Sequence, residues 1–210
     1  MVITELRKKR GRLFQLVLDE EPAVTVDART FEESPYKVGS SLSEQQLSEL
    51  INESQRRRSH EKALYLLSLR DYSRGELEKK LRRDSDINIA AQTAEHMEEL
   101  GLINDCTYAE HRARDMAERK LYPSRRIIQE LCALGVSREI AQNAVDLIDC
   151  DDMQQALALL CKKYYNKKDG EGNLHRTAAA LARYGFEGSV IRRAIKEWKS
   201  EEQDLEIDDL

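Results

Sequence analysis

Apolar positions follow two different rhythms along this chain. Up to about residue 55 they come in short runs. Arg12 to Leu18 and Ala23 to Asp27 are rich in Val, Leu, Phe and Thr and are separated by Asp19-Glu20-Glu21-Pro22. That pattern predicts a β-hairpin. An irregular stretch follows through Pro35 and Gly39. Ser43 and Gln46 then have the spacing of a capping box, in which a hydroxyl and an amide side chain satisfy backbone donors at a helix start. A short helix to about Glu53, with Leu47, Leu50 and Ile51 turned inward, is the expectation.

From Arg56 onward the spacing is helical and repeats. An offset of 50 residues matches Tyr72-Ser73 with Tyr122-Pro123, Leu77 with Ile127, and Leu81 with Leu131. The same offset pairs Leu131 with Leu181, Gly135-Val136 with Gly185-Phe186, Ala144 with Ala194, and Ile148 with Trp198. These are apolar and turn positions, the ones that packing dictates, and a fixed period of this length marks a repeat architecture. The predicted helices are His60 to Arg70, Ser73 to Arg82 and Ile89 to Leu100. They are followed by Asp105 to Lys120, Ser124 to Leu134 and Ser137 to Ile148, then Asp151 to Tyr165, Leu174 to Tyr184 and Gly188 to Trp198. Lys167 to Asn173 is expected to be a loop.

The expected fold is therefore mainly α: three tandem three-helix, helix-turn-helix-like modules in an elongated curved array, with a small N-terminal β-hairpin. The divisions expected are 1–55 for the hairpin and short helix, 56–104, 105–150 and 151–200 for the three repeats, and 201–210 for an acidic tail expected to be disordered. Modules of this size bury little surface alone and protect one another by stacking. Such a shape offers long surfaces rather than a deep pocket, which favours recognition over catalysis.

Charge refines this picture. Six acids among the last ten residues more than account for the net charge of -5. Between Arg56 and Lys199 there are 27 Lys/Arg against 23 Asp/Glu, so the helical body is mildly basic. No stretch approaches the ~20 apolar residues a membrane helix needs, and the basic start followed by Leu13 to Leu18 is too short for a secretory signal. The expectation is a cytoplasmic monomer that does not engage membranes. Cys106, Cys132, Cys150 and Cys161 form no C-x-x-C pair and the four histidines are scattered. No metal or other cofactor is expected, and the thiols read as small buried or half-buried helical residues.

Candidate chemistry lies in the cations. In the last predicted helix Val190, Ile191, Ala194, Ile195 and Trp198 share one face, and Arg192, Arg193, Lys196 and Lys199 the other. A sequence-reading helix also presents Asn, Gln or Ser to base edges, whereas this face is mostly cationic and suits phosphates, an acidic protein surface or plain solvent. Arg125 and Arg126 open a helix where they oppose its dipole at a cost of a few tenths of a kcal/mol. Lys162, Lys163, Lys167 and Lys168 surround Tyr164-Tyr165 in the manner of a single-strand platform, although Tyr164 continues the Ala156 and Leu160 stripe and reads as core. No phosphate loop and no nucleophile–base pairing is present, and Asp151-Asp152 reads as a helix cap. The chain is not expected to be an enzyme.

Several segments together resemble the RecX family of RecA-recombinase regulators. Ala63 to Arg70 (Ala-Leu-Tyr-Leu-Leu-Ser-Leu-Arg), Tyr72-Ser73, Glu76-Leu77 and Lys80-Leu81 look like its opening module. Leu100 to Asp105 (Leu-Gly-Leu-Ile-Asn-Asp) with Tyr108-Ala109 looks like its link into the second. Ile127, Glu130-Leu131, Gly135-Val136 and Ala182 to Phe186 continue the likeness. Pro123-Ser124 departs from it, since glycine is common there in the family. The resemblance implies binding to the RecA filament, contact with single-stranded DNA directly or through that filament, and modulation, in the inhibitory sense, of ATP hydrolysis and strand exchange in recombination and the SOS response. The alternative is a helix-turn-helix DNA-binding transcriptional regulator. The cations named above are the candidate RecA- or DNA-binding residues on either reading.

Overall fold

The structure, a computed structural model, describes residues 1–164 and 171–205. It divides into two compact units, Met1–Ile103 and Asn104–Leu210. The first begins with a three-stranded antiparallel sheet: β1 (Ile3–Lys8), β2 (Leu13–Leu18) and β3 (Glu21–Asp27), in the order β1-β2-β3. The expected hairpin is β2–β3. Asp19 and Glu20 make its turn at φ of 48° and 70°, the doubly left-handed form that matches strand twist. β1 has no counterpart among the expected elements, and it holds this turn together with Val2, the residue before it. Val2 N–H donates to Asp19 Oδ1 at 2.8 Å and Asp19 N–H to the Val2 carbonyl at 3.0 Å. Only Ile3 of β1 is fully buried, and Glu5, Arg7 and Lys8 are exposed, so its apolar signal is weak. Charged side chains on an edge strand are a common defence against further pairing.

After a short helix α1 (Ala28–Glu33) comes α2 (Glu44–Leu69), 26 residues without a break. It replaces the two separate helices expected on either side of residue 55. The Ser43–Gln46 capping box is formed in both directions. The apolar stripe lapses in the middle of α2 because Ser54 and Ser59 occupy buried positions. The Ser54 hydroxyl accepts the Asp27 backbone N–H at 2.7 Å, which ties the helix to the end of β3. The first half of α2 packs Leu47 and Leu50 on the sheet residues Ile3, Leu16, Leu18 and Val26. Its second half packs Ala63, Leu66 and Leu67 against Leu77 and Leu81 of α3 (Arg74–Leu81) and Ala90 and Met97 of α4 (Ile87–Glu99). At the end of α4, Gly101 at φ +70° lets its own N–H reach Glu98 and that of Leu102 reach Met97, closing the helix in a Schellman motif.

Among its described residues the second unit contains two hydrophobic clusters. α5 (Asp105–Lys120), α6 (Ser124–Ala133) and α7 (Arg138–Leu147) enclose Tyr108, Ala113, Met116, Ile127, Leu131 and Val145. α8 (Asp152–Tyr164), α9 (Glu171–Tyr184) and α10 (Gly188–Leu205) enclose Ala156, Leu160, Leu181, Phe186, Ala194 and Trp198. The molecule is thus mainly α with a small N-terminal sheet. Two boundaries differ from expectation. α9 starts at Glu171, so the segment from there to Asn173 is helical rather than loop, and α10 continues to Leu205, so the first half of the acidic segment is also helical. Lys167, Lys168, the end of the acidic segment and the Tyr164 side chain lie outside the described residues. The thiols also depart from the expected burial: Cys106, Cys132 and Cys161 are exposed and only Cys150 is half-buried.

Candidate polyanion-binding surfaces

α10 carries the expected two faces. Ile191, Ala194 and Trp198 are buried at i, i+3 and i+7, while Arg192, Arg193, Lys196 and Lys199 are all exposed. Among the described residues no carboxylate pairs with these four side chains, which leaves a ridge of four cations on a helix anchored by a fully buried indole. Lys162 is exposed on α8. Lys163 instead donates to Tyr184 Oη and sits 4.9 Å from that ring's centroid, so it is engaged with α9.

The Arg125–Arg126 pair separates. Arg125 is exposed. Arg126, with 28% of its side chain exposed, is not the free surface cation expected. Its guanidinium lies 3.9 Å from the Tyr122 ring centroid and donates to the Tyr184 carbonyl at 3.2 Å, with Glu130 at 3.4 Å. The reason is electrostatic. The Tyr184 carbonyl belongs to the last turn of α9, where the helix dipole is negative. A guanidinium that is unfavourable at the start of its own helix is thus favourable at the end of another.

The same junction explains Pro123-Ser124. Pro123 offers no side-chain cap, and the Ser124 N–H and hydroxyl both donate to Asp152 Oδ1, at 2.7 and 2.8 Å. Asp151 caps α8, accepting from Met153 N–H, whereas Asp152 serves the start of α6. Leu121, at φ +55°, adds its side chain to the Trp198 cluster. Cys150 lies beside this seam, half-buried, and burial pushes its thiol pKa above the usual range.

Beside the junction is a groove of about 580 Å³ edged by Arg125 and Gln129 of α6 and Arg138 and Gln142 of α7, with Asp152 and Glu187 as its acids. Guanidinium and amide together are the groups that read base edges. At this groove α7 sets Arg138 beside Gln142.

A second basic cluster lies in the first unit. The β1–β2 turn residues Arg10 and Arg12 and the α2 residues Arg58, Lys62 and Tyr65 line a hollow of about 480 Å³, together with Asp27, Glu61 and Asp84. Tyr65 is 62% exposed. Lys62 pairs with Asp84 and holds its carboxyl below the usual range. The sequence signal was the basic run from Arg7 to Arg12, but its α2 partners join it only when the helix packs on the sheet. No group of three metal-ligating side chains is present among the described residues, and no helix there is long and apolar enough to cross a membrane.

Residues 104–145 match the family described as RecX, second three-helix domain, and residues 150–195 match RecX, third three-helix domain. The Regulatory protein RecX of Chlorobium phaeobacteroides (strain BS1) is 31% identical over 135 residues, covering 63% of this chain and 88% of that protein. That of Clostridioides difficile (strain 630) is 23% identical over 91% of this chain and 92% of its own. Among solved structures, RecX from Lactobacillus salivarius has a TM-score of 0.58 at 26% identity, covering 69% of this chain and 97% of that one. Another crystal structure, of regulatory protein RecX, shares the fold with a TM-score of 0.61 at 21% identity over 93% of this chain and 98% of its own. The molecule is of the class of regulatory proteins built from tandem three-helix domains. The likeness extends beyond the two matched domains, since the longer alignments also take in much of the first unit. This chain belongs to the RecX family.

Proposed function

We propose that this protein binds the RecA recombinase filament on single-stranded DNA and restrains its ATP hydrolysis and strand exchange in recombination and repair. It would act without catalysing a reaction, as a cytoplasmic monomer. Its modules would be divided as 56–104, 105–150 and 151–200. Family membership supports the reading, and the observation that carries it is the ridge of Arg192, Arg193, Lys196 and Lys199 on a helix locked by Trp198. Because the helix backbone is already ordered, these cations can meet phosphates or acidic protein surfaces without a cost for folding the helix, and only the side chains need be immobilised. Separate basic faces on the two units supply the several weak contacts that multivalent binding to a repetitive filament needs. The test is a titration into RecA assembled on single-stranded DNA. Substoichiometric protein is expected to lower ATP hydrolysis, and unchanged hydrolysis at every ratio with filaments intact would refute the reading.

The groove of Arg125, Gln129, Arg138 and Gln142 favours a second reading, a helix-turn-helix transcriptional regulator. It requires preference for one duplex sequence over scrambled competitor at moderate salt, and equal affinity for all sequences removes it.

A further inference from the structure

We infer that the hollow between the β1–β2 turn and the second half of α2 docks single-stranded DNA, one base stacking on Tyr65 while Arg10 and Arg58 hold neighbouring phosphates. The site needs no RecA to bind. The choice of DNA over RNA rests on the function proposed above.

Tyr65 is the one exposed tyrosine among the described residues. Other half-buried or buried tyrosine rings are capped by cations. Arg70 lies 3.7 Å from the Tyr72 centroid, Arg126 3.9 Å from that of Tyr122, and Lys163 4.9 Å from that of Tyr184. Neither a ring nor a cation covers Tyr65 among the described residues. Arg58, Lys62, Tyr65 and Leu69 follow the i, i+4, i+7, i+11 spacing of one helix face. α2 therefore lines up two cations, a bare ring and a leucine that is 61% exposed. The facing turn is ordered. Lys9 N–H donates to the Leu13 carbonyl at 2.8 Å, and Ala28 N–H to the Arg12 carbonyl at 2.8 Å.

The charge favours a polyanion even with the ion-pair partners counted. Arg10, Arg12, Arg58 and Lys62 line the hollow against Asp27, Glu61 and Asp84. Arg12 meets Glu61 at 3.7 Å, and Lys62 bonds Asp84. Lys62 first, then Arg58 and Arg83, hold the Asp84 carboxyl below its usual range, which puts Arg83 beside the hollow. Asp27 caps α1 and faces Arg57, which shares Glu33 with Arg29. Seven cations in all meet four carboxylates, and Arg10 and Arg58 pair with none of the described ones. Two free guanidiniums, one from the turn and one from α2, suit successive phosphates. A bare ring between them suits an unstacked base, which a single strand offers and a duplex does not.

The test uses the full chain without RecA and a fluorescent oligo(dU) dodecamer carrying a central 5-iodouracil. Long-wavelength irradiation should place an adduct on the tryptic peptide Ala63–Arg70, whose one aromatic residue is Tyr65. Tyr65→Leu should abolish that adduct and weaken binding about fivefold, while Tyr65→Phe should keep the affinity. Arg10→Gln should flatten the log–log salt dependence by about 0.7. All three change exposed side chains and should melt like the parent. The same iodouracil in a duplex should give no adduct on this peptide. Adducts confined to other peptides, unchanged affinity in Tyr65→Leu, equal yield from the duplex, tighter binding of the matching oligo(U), or displacement by polyglutamate of equal charge would each overturn the inference. Such a failure beside intact suppression of RecA ATP hydrolysis would strike this site alone.

Discussion

Arg125–Arg126 and Arg192–Arg193 are the same dipeptide near the start of two amphipathic helices, and they meet different fates. Arg192 and Arg193 both stay in solvent on α10. Arg126 is drawn between Tyr122 and the Tyr184 carbonyl, while Arg125 next to it remains exposed. Helical phase decides which side chains can leave the helix's own core, and both pairs satisfy it. What separates them is whether another chain segment offers acceptors nearby. On α6 that segment is the end of α9, more than fifty residues away in sequence. A charged residue's role therefore depends on non-local packing, even where its own helix is read correctly.

The comparison is most severely tested through Trp198, which holds the exposed ridge in place. Trp198→Ala should cost about 3–5 kcal/mol in urea unfolding because the indole is fully buried. Next is the turn at the end of α9. Gly185 has φ +104°, and a Cβ there would lie 3.3 Å from Arg126 Cβ. Gly185→Ala should cost about 2 kcal/mol from backbone strain and crowding. Gly101→Ala, left-handed but with open space around it, should cost only about 1 kcal/mol. A similar loss at both sites would mean that the Gly185–Arg126 approach does not constrain the fold.

Arg126→Ala should lower stability by about 1–2 kcal/mol through the lost ring contact and carbonyl hydrogen bond. Arg125→Ala should stay within about 0.5 kcal/mol. Thiol alkylation gives an independent view. Cys106, Cys132 and Cys161 should react quickly and Cys150 slowly, being half-buried with a raised thiol pKa. Arg126→Ala should accelerate Cys150 selectively. The smallest effect on folding belongs to the Arg192→Ala, Arg193→Ala double variant, which should melt within about 0.5 kcal/mol of the parent. Its binding to single-stranded DNA or to the filament should nevertheless weaken, and the salt dependence should flatten by about 1.4 in log–log slope.

Much of the helical body was legible because its repeat is written in buried and turn positions. Ile127 and Leu131, Gly135, Leu181 and Gly185 fall where the 50-residue offset requires. The edge strand was not legible, since one fully buried residue among charges makes no alternating pattern. The middle of α2 is not legible in the sequence, because Ser54 is a core position on grounds that only its bond to Asp27 reveals. Exposure along α10 followed from periodicity alone. The Arg10, Arg58 and Tyr65 cluster did not, because its members come from elements that meet only after folding.

The uninterrupted α2 has a mechanical meaning. Its 26 residues make a shaft about 39 Å long, keyed at one end to the sheet and at the other to α3 and α4. Each residue advances the phase of such a shaft by about 100°. Inserting one amino acid near Gln55 would therefore swing the β1–β2 turn around the axis, carrying Arg10 and Arg12 away from Arg58 and Tyr65 while leaving every hydrophobic residue in the sequence. The first unit is geared, and its two ends cannot be re-aimed independently.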